Sequence, residues 1–179
     1  QLTKFALTES NVGLAAVPGL ENTSPEFKKE LKNIGTELDI NPDWLATVMS
    51  FESGFNPHIP NQAGSHATGL IQFMPDTAKE LGTSTKDLQK MSAEEQLKYV
   101  RSYFSKYKGR LHSLDDVYLA VFYPAAIGKP GDYVIFKAPS KGYEQNKGFD
   151  TQHAGVITKD QVTKMIHGRL ASAKGKRID

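Results

Sequence analysis

Helix-start signals follow one another along this chain, and they constrain its fold more than any other feature. Ser24 stands before Pro25, Asn41 stands before Pro42, and Pro75-Asp76-Thr77 opens a further segment. A capping residue followed by proline is pre-organised for a first helical turn, where the missing N–H has no intrahelical partner in any case. Thr23 and Glu26, Ser92 and Glu95, and Thr158 and Gln161 have capping-box spacing, and Ser113 caps another segment. Apolar residues then recur at helical spacing. The stripes are Phe27, Leu31, Ile34, Leu38; Leu45, Val48, Met49; Leu97, Val100, Phe104, Tyr107; Leu114, Val117, Tyr118, Val121; and Val162, Met165, Ile166, Leu170. Gly54, Gly82 and Gly109 supply stops. Val134-Ile135-Phe136 is the only apolar run in the Gly-, Pro-, Lys- and Asn-rich stretch from Lys129 to Gly155. The predicted fold is mainly α, with a small irregular or β excursion near the C-terminus.

Three segments follow from this pattern. Residues 1–22 show no sustained period and a Val17-Pro18-Gly19 turn, so they are expected to form an arm or linker. Residues 23–128 form the helical core, and residues 129–179 a C-terminal extension with a loop-rich insert and a final helix. A chain of 179 residues with 39% hydrophobic residues buries a substantial core. No apolar run is long enough to span a membrane. A net charge of +2, without a basic face carrying aromatics, disfavours nucleic acid as a partner. The opening Gln1-Leu2-Thr3-Lys4-Phe5 leads into no signal-peptide core and there is no initiator Met. A processed product or a part of a larger protein is expected.

With no cysteine, thiolate chemistry and thiolate-bound zinc are excluded. The five histidines, at 58, 66, 112, 153 and 167, lack zinc spacing. Asp150 to Gln161 has the outline of a calcium loop, with Gly155 at its sixth position and Ile157 at its eighth. Gln152, Ala154 and Gln161 occupy positions where oxygen-rich ligands are needed, so the turn is expected without the ion. No metal and no cofactor are predicted.

Glu52 stands out. Positions 45, 48, 49 and 52 lie on one helical stripe, three of them apolar and the fourth a carboxylate flanked by Phe51 and Phe55. Desolvation there raises a carboxyl pKa, and the negative end of the helix dipole acts in the same direction. A carboxyl group protonated near neutral pH is what general-acid catalysis needs. Periodicity alone also allows a frayed helix end with Glu52 in solvent or paired to a lysine.

The surrounding motifs add weight to the first reading. Glu52-Ser53-Gly54-Phe55-Asn56-Pro57 is followed, after a loop, by Gly69-Leu70-Ile71-Gln72-Phe73-Met74-Pro75 and then Thr77-Ala78. Sixteen residues separate Glu52 from Gly69. This ordered pair resembles the soluble lytic transglycosylase catalytic domain of the goose-type lysozyme superfamily, over roughly residues 25–128. Ser92 to Tyr103 is similar to the family's third segment, where core packing accounts for the pattern. The fourth motif departs from it: the family usually has Ala-Tyr-Asn-Ala-Gly, and this chain has Phe122-Tyr123-Pro124-Ala125-Ala126 before Gly128. Tyr123 aligns with the family tyrosine, or Phe122 does after a shift of one. An aromatic followed by Pro-Ala-Ala resembles phage tail and virion-associated peptidoglycan-degrading proteins.

The resemblance implies cleavage of the β-1,4 bond between N-acetylmuramic acid and N-acetylglucosamine, with bacterial peptidoglycan as the partner and the cell wall as the place of action. Glu52 would act as acid and then base. Gln72 would bind the glycan near the scissile bond, Ser53 would position Glu52 or the sugar, and Phe73, Met74 and Tyr123 would line the groove. For Ser53, Phe73, Met74 and Tyr123 plain structural roles stand beside these. A lytic transglycosylase needs no second carboxylate, and no Asp or Glu lies between Glu52 and Asp76. A hydrolytic muramidase would need a base, for which Asp115 and Asp116 are candidates. A non-catalytic glycan-binding or virion structural module is the alternative from another class.

Overall fold

The structure, a computed structural model, describes residues 13–60 and 66–179. Residues 1–12 of the expected arm and residues 61–65 of the loop before Gly69 lie outside the described residues. Eight α-helices are present among the described residues: α1 (Pro25–Leu38), α2 (Pro42–Ser53), α3 (Pro75–Glu80), α4 (Thr85–Leu88), α5 (Ala93–Ser105), α6 (Leu114–Phe122), α7 (Lys141–Asn146) and α8 (Lys159–Ala171). The fold is mainly α and lysozyme-like, as the sequence predicts.

The caps explain the starts. The Ser24 side chain accepts from Phe27 N, Asn41 from Asp43 N and Ser113 from Asp116 N. Complete capping boxes open α5, with Ser92 and Glu95, and α8, with Thr158 and Gln161. The Thr23–Glu26 box does not form. Pro25 takes the first helical position, which makes Ser24 the cap, and the Thr23 hydroxyl turns back to donate to Leu20 O at 2.7 Å.

Helix α2 is the central element. It packs against α1, α6 and α8. Its buried residues are not confined to one stripe: Ala46, Thr47 and Ser50 are buried with Leu45, Val48 and Met49. A helix enclosed on several sides must satisfy its polar side chains internally. The Thr47 hydroxyl donates to Asp43 O at 2.6 Å, and the Ser50 hydroxyl donates to Pro18 O at 2.6 Å.

That last bond belongs to a correction. Residues 13–22 do not form an arm. Leu14, Val17 and Leu20 are buried in the core. Strand β1 (Leu14–Ala15) pairs antiparallel with the C-terminal β4 (Arg177–Ile178). Asp43 clamps the pair: its carboxylate accepts from Ala15 N at 2.8 Å and from the Arg177 guanidinium at 2.8 Å. Arg177 also donates to Gly13 O at 2.7 Å. These partners come from the far end of the chain, so no local period announces them.

The stretch after Gly128 contains β2 (Val134–Lys137) and β3 (Val156–Thr158), an antiparallel pair with a register shift between Val134 and Phe136. Ile135 and Ile157 join the same core as the helices, and Val162 and Ile166 carry α8 onto it. Asp150 explains the loop with a calcium-like outline. Its carboxylate accepts from the Tyr143 hydroxyl at 2.7 Å and from the N–H groups of Ala154 and Gly155 at 2.9 and 2.8 Å. The Tyr143 bond first, and then the backbone donors, hold its pKa below the usual carboxylate value. No group of three or more potential ligands suited to a metal ion occurs among the described residues.

Truncating Leu20, fully buried beside α2, tests the packed N-terminal segment. Leu20→Ala is expected to lower the unfolding free energy by about 2–5 kcal/mol in urea denaturation, the range for a core leucine. An arm residue would shift it by less than about 0.5 kcal/mol.

Candidate active site

Glu52 lies in the last turn of α2, one residue before the helix ends at Ser53. Gly54 and Phe55 then take left-handed φ values of 60° and 66°, which turn the chain sharply away. Phe55 is buried and meets Phe27 edge-on, with ring centroids 5.9 Å apart, so the turn is fixed by core packing. Glu52 is half-buried and makes no hydrogen bond or ion pair among the described residues. Desolvation raises its pKa from 4.5 to about 7. Neighbouring carboxylates make no contribution to that shift. The carboxyl group is therefore poised to hold a proton near neutral pH and to lose it on modest provocation.

The turn Gly69–Gln72 is positioned against this helix end by two polar side chains. The Ser53 hydroxyl, buried, donates to Leu70 O at 2.8 Å, with Met49 O at 3.1 Å as the other acceptor in reach. Gln96 on α5 does more. It is fully buried, and its side-chain oxygen accepts from Leu70 N at 3.0 Å. Its amide group donates to Pro57 O at 2.6 Å and to Leu88 O at 2.7 Å. One side chain thus ties together the loop after Glu52, the second motif and α4. Gly69 is required beside it: its φ is +83°, and a Cβ there would stand 2.6 Å from the Gln96 oxygen.

Gln72 also takes a left-handed φ, 56°. Its side-chain amide donates to Gly69 O at 3.1 Å and Ile59 O at 3.2 Å. Its side-chain oxygen has no donor among the described residues. Phe73 is 2% exposed, and its backbone bridges to Thr68, so it is chiefly core. Met74 is 46% exposed at the N-cap of α3. A small cleft runs between Gln72, Phe73, Met74, Thr77, Tyr103 and Val121. The Tyr103 hydroxyl donates to Ala120 O at 2.5 Å, which fixes the ring as one wall.

Tyr123 caps the C-terminus of α6, and its ring meets Phe136 of β2 at 5.5 Å. Phe122, the other candidate for the motif's aromatic position, stacks on Tyr118 with centroids 5.5 Å apart. Tyr118 is buried, and its hydroxyl pKa is pushed up first by burial and then by the charge of Glu52, which places it beside the acid. Asp115 pairs with His167 at 2.5 Å, and Asp116 accepts from His112 N at 2.9 Å. Asp115 Oδ1 is nevertheless buried without a hydrogen bond among the described residues.

The structure therefore brings Glu52, Ser53 and the Gly69–Gln72 turn together, and places Met74 and the largely buried Phe73 in the lining of the cleft. The sequence reading missed Gln96, Tyr103 and Tyr118 as parts of the site. Gln96 did leave a signal: it lies four residues before Val100, on the apolar face of α5, where a polar residue needs buried partners.

A half-buried, unpaired carboxyl at a helix end in a mainly α lysozyme-like fold suits the class of glycan-cleaving proteins. The Transglycosylase SLT domain family matches residues 31–123, more than half of the chain. The chain belongs to this family, whose members are lytic transglycosylases, enzymes that act on peptidoglycan. No helix among the described residues is long and apolar enough to cross a membrane.

Two outcomes follow. Gly69→Ala is expected to cost at least about 2 kcal/mol in chemical denaturation, because the added Cβ meets the immobile Gln96 amide and the φ is left-handed. The raised pKa of Glu52 predicts a pH dependence of stability. Between pH 4.5 and about 7 the native state keeps a proton that the unfolded state releases, so stability falls as pH rises through this window. Glu52→Gln removes that loss. Its melting temperature is expected to exceed the wild type's at pH 8, by roughly 1–3 kcal/mol of stability, and to match it at pH 4.5.

Proposed function

We propose that the chain is a lytic transglycosylase cleaving the β-1,4 bond between N-acetylmuramic acid and N-acetylglucosamine, with Glu52 as its one acid and base. Protonated Glu52 gives its proton to the glycosidic oxygen as the bond to C1 breaks. The Glu52 carboxylate then takes the proton of the muramoyl C6 hydroxyl, whose oxygen closes onto C1. The products are a 1,6-anhydromuramoyl end and a free 4-hydroxyl, and no water is consumed.

The observation that carries this reading is that Glu52 sits half-buried at the end of α2 with no hydrogen bond or ion pair among the described residues, where burial raises its pKa to about 7. No Asp or Glu lies between Glu52 and Asp76 to serve as the second carboxylate of a two-carboxylate glycosidase. Asp116 accepts from His112 N, which leaves Asp115 as the candidate base of the hydrolytic alternative. Gln72 offers its free side-chain oxygen to an acetamido N–H, with its own amide group held by Gly69 and Ile59. Ser53 acts through position, by holding the second motif against the helix end. Met74 and Tyr103 wall the groove beside Gln72, and Tyr123, which packs on Phe136 of β2, is the further candidate for sugar contact. The site of action is the bacterial cell wall. The Tyr123-Pro124-Ala125-Ala126 run supports a virion-associated setting, with the chain carried in a larger protein or particle.

Mass spectrometry of soluble products from purified peptidoglycan tests the proposal. The wild type is expected to release anhydromuramoyl products, and Glu52→Gln to reduce the rate by at least about 1,000-fold. Reducing ends instead would make the enzyme a muramidase. Release of nothing from several wall types would favour a glycan-binding or structural module. The rate is expected to fall above about pH 7, as Glu52 loses the proton it must donate.

A further inference from the structure

A second, larger cleft of about 380 Å³ lies between α2 and the C-terminal extension. It is lined by Phe51, Gln145, Asn146, Gly148, Phe149 and Met165. Only Phe51 falls within the segment that matches the family, residues 31–123. The cleft is thus built mainly by residues that the family pattern does not account for.

Its chemistry is mixed in a specific way. Phe51, Phe149 and the 56% exposed Met165 give it an apolar surface. Gln145 is exposed, with no hydrogen bond among the described residues. Arg169, one turn beyond Met165, lies over the Phe51 ring at 5.9 Å. This guanidinium is half-buried and has no carboxylate partner among the described residues; its one hydrogen bond is to Ser50 Oγ at 3.4 Å. A guanidinium held in place without an acid is ready to take an anion by charge-assisted hydrogen bonds. The wider field agrees. Residues 129–179 carry ten Lys and Arg against five Asp and Glu, whereas residues 1–128 carry twelve against fifteen.

The cleft is also linked to the candidate active site through packed aromatic rings. Phe51 directly precedes Glu52, and its ring meets Tyr118 edge-on at 5.5 Å. Phe149 meets Phe122 at 5.8 Å, and Phe122 stacks on Tyr118. One aromatic cluster backs both the acid and the cleft. An intact glycan strand carries a short acidic peptide on its muramoyl residues, so a protein that grips the sugars beside Glu52 must also accommodate that peptide.

We propose that this cleft is a subsite for the acidic peptide stem of the bound strand, with Arg169 pairing with a stem carboxylate. Phe51, Phe149 and Met165 cover the small apolar side chains of the peptide, and Gln145 hydrogen-bonds its backbone. The proposal rests on the glycan-cleaving reading of Glu52.

Two measurements test it. In the first, Glu52→Gln protein is titrated with a sugar-free acidic tetrapeptide stem and followed by amide NMR. Shifts are expected at Asn146, Gly148, Phe149 and Met165, and their loss in an added Arg169→Gln change. In the second, kcat/KM is compared on peptide-bearing strands and on strands stripped of peptide by an amidase. The ratio of the two is expected to fall about tenfold in Arg169→Gln, the factor that corresponds to about 1.4 kcal/mol. Met165→Glu, at an exposed position, puts a repelling carboxylate in the cleft and serves the same purpose if Arg169→Gln fails to fold. Absence of peptide-induced shifts at the cleft, or an unchanged ratio in a folded variant, overturns the proposal. If the wild type cleaves neither strand yet the peptide still shifts the cleft residues, the Glu52 reading fails and the peptide site stands.

Discussion

The buried amide of Gln96 holds the geometry of the site. Its three hydrogen bonds join backbone groups of residues 57 and 70, in two loop segments, and of residue 88, at the end of α4. Leu88 O also accepts from Met91 N, whereas Pro57 O and Leu70 N have no backbone partner among the described residues. A buried carbonyl or N–H without a partner costs about 1–3 kcal/mol, so the loops are stable only with the amide in place. The Ser53 hydroxyl adds a direct strut from the helix that carries Glu52 to Leu70 O. The acid and the second motif are thus fixed relative to each other by side chains on α5 and α2 rather than by the loop that connects them.

Desolvation has the opposite character at Glu52. The same enclosure that satisfies Gln96 leaves the Glu52 carboxyl without a hydrogen-bond donor, and its pKa rises accordingly. Stability and reactivity are separated in space by only a few residues of α2: Thr47, Ser50 and Ser53 are each bonded to a backbone carbonyl, whereas Glu52 is bonded to none. A site of this kind concentrates its energetic cost at one residue.

What was legible in the sequence was local. Ser24-Pro25, Asn41-Pro42, Ser113 and the Thr158–Gln161 box mark helix starts because a cap acts within four residues of itself. Glu52 was visible because helical periodicity alone places a carboxylate among apolar residues. The turn after Asp150 was visible as a calcium-like outline, and the partners that hold it lie within seven residues of Asp150. What was not legible depended on distant partners. Residues 13–22 look like an arm until Asp43 and Arg177 are seen to hold them. Gln96 looks like an ordinary helical glutamine until the carbonyl of Pro57, 39 positions away, arrives against it. Phe73 carries the same lesson: it lines the cleft as its motif suggests, yet tertiary packing leaves it only 2% exposed.

The β1–β4 pair has a mechanical consequence. Leu14 stands opposite Ile178, so the chain enters and leaves the folded body at adjacent points, about 5 Å apart. Polypeptide attached on either side of residues 13–179 would diverge from a single pivot. Such a body can swing as one piece about that pivot while its internal geometry stays fixed. Tension applied across the two ends would load the short ladder and its Asp43–Arg177 clamp, and through Asp43 it would reach the first turn of α2, the helix that carries Glu52 at its other end.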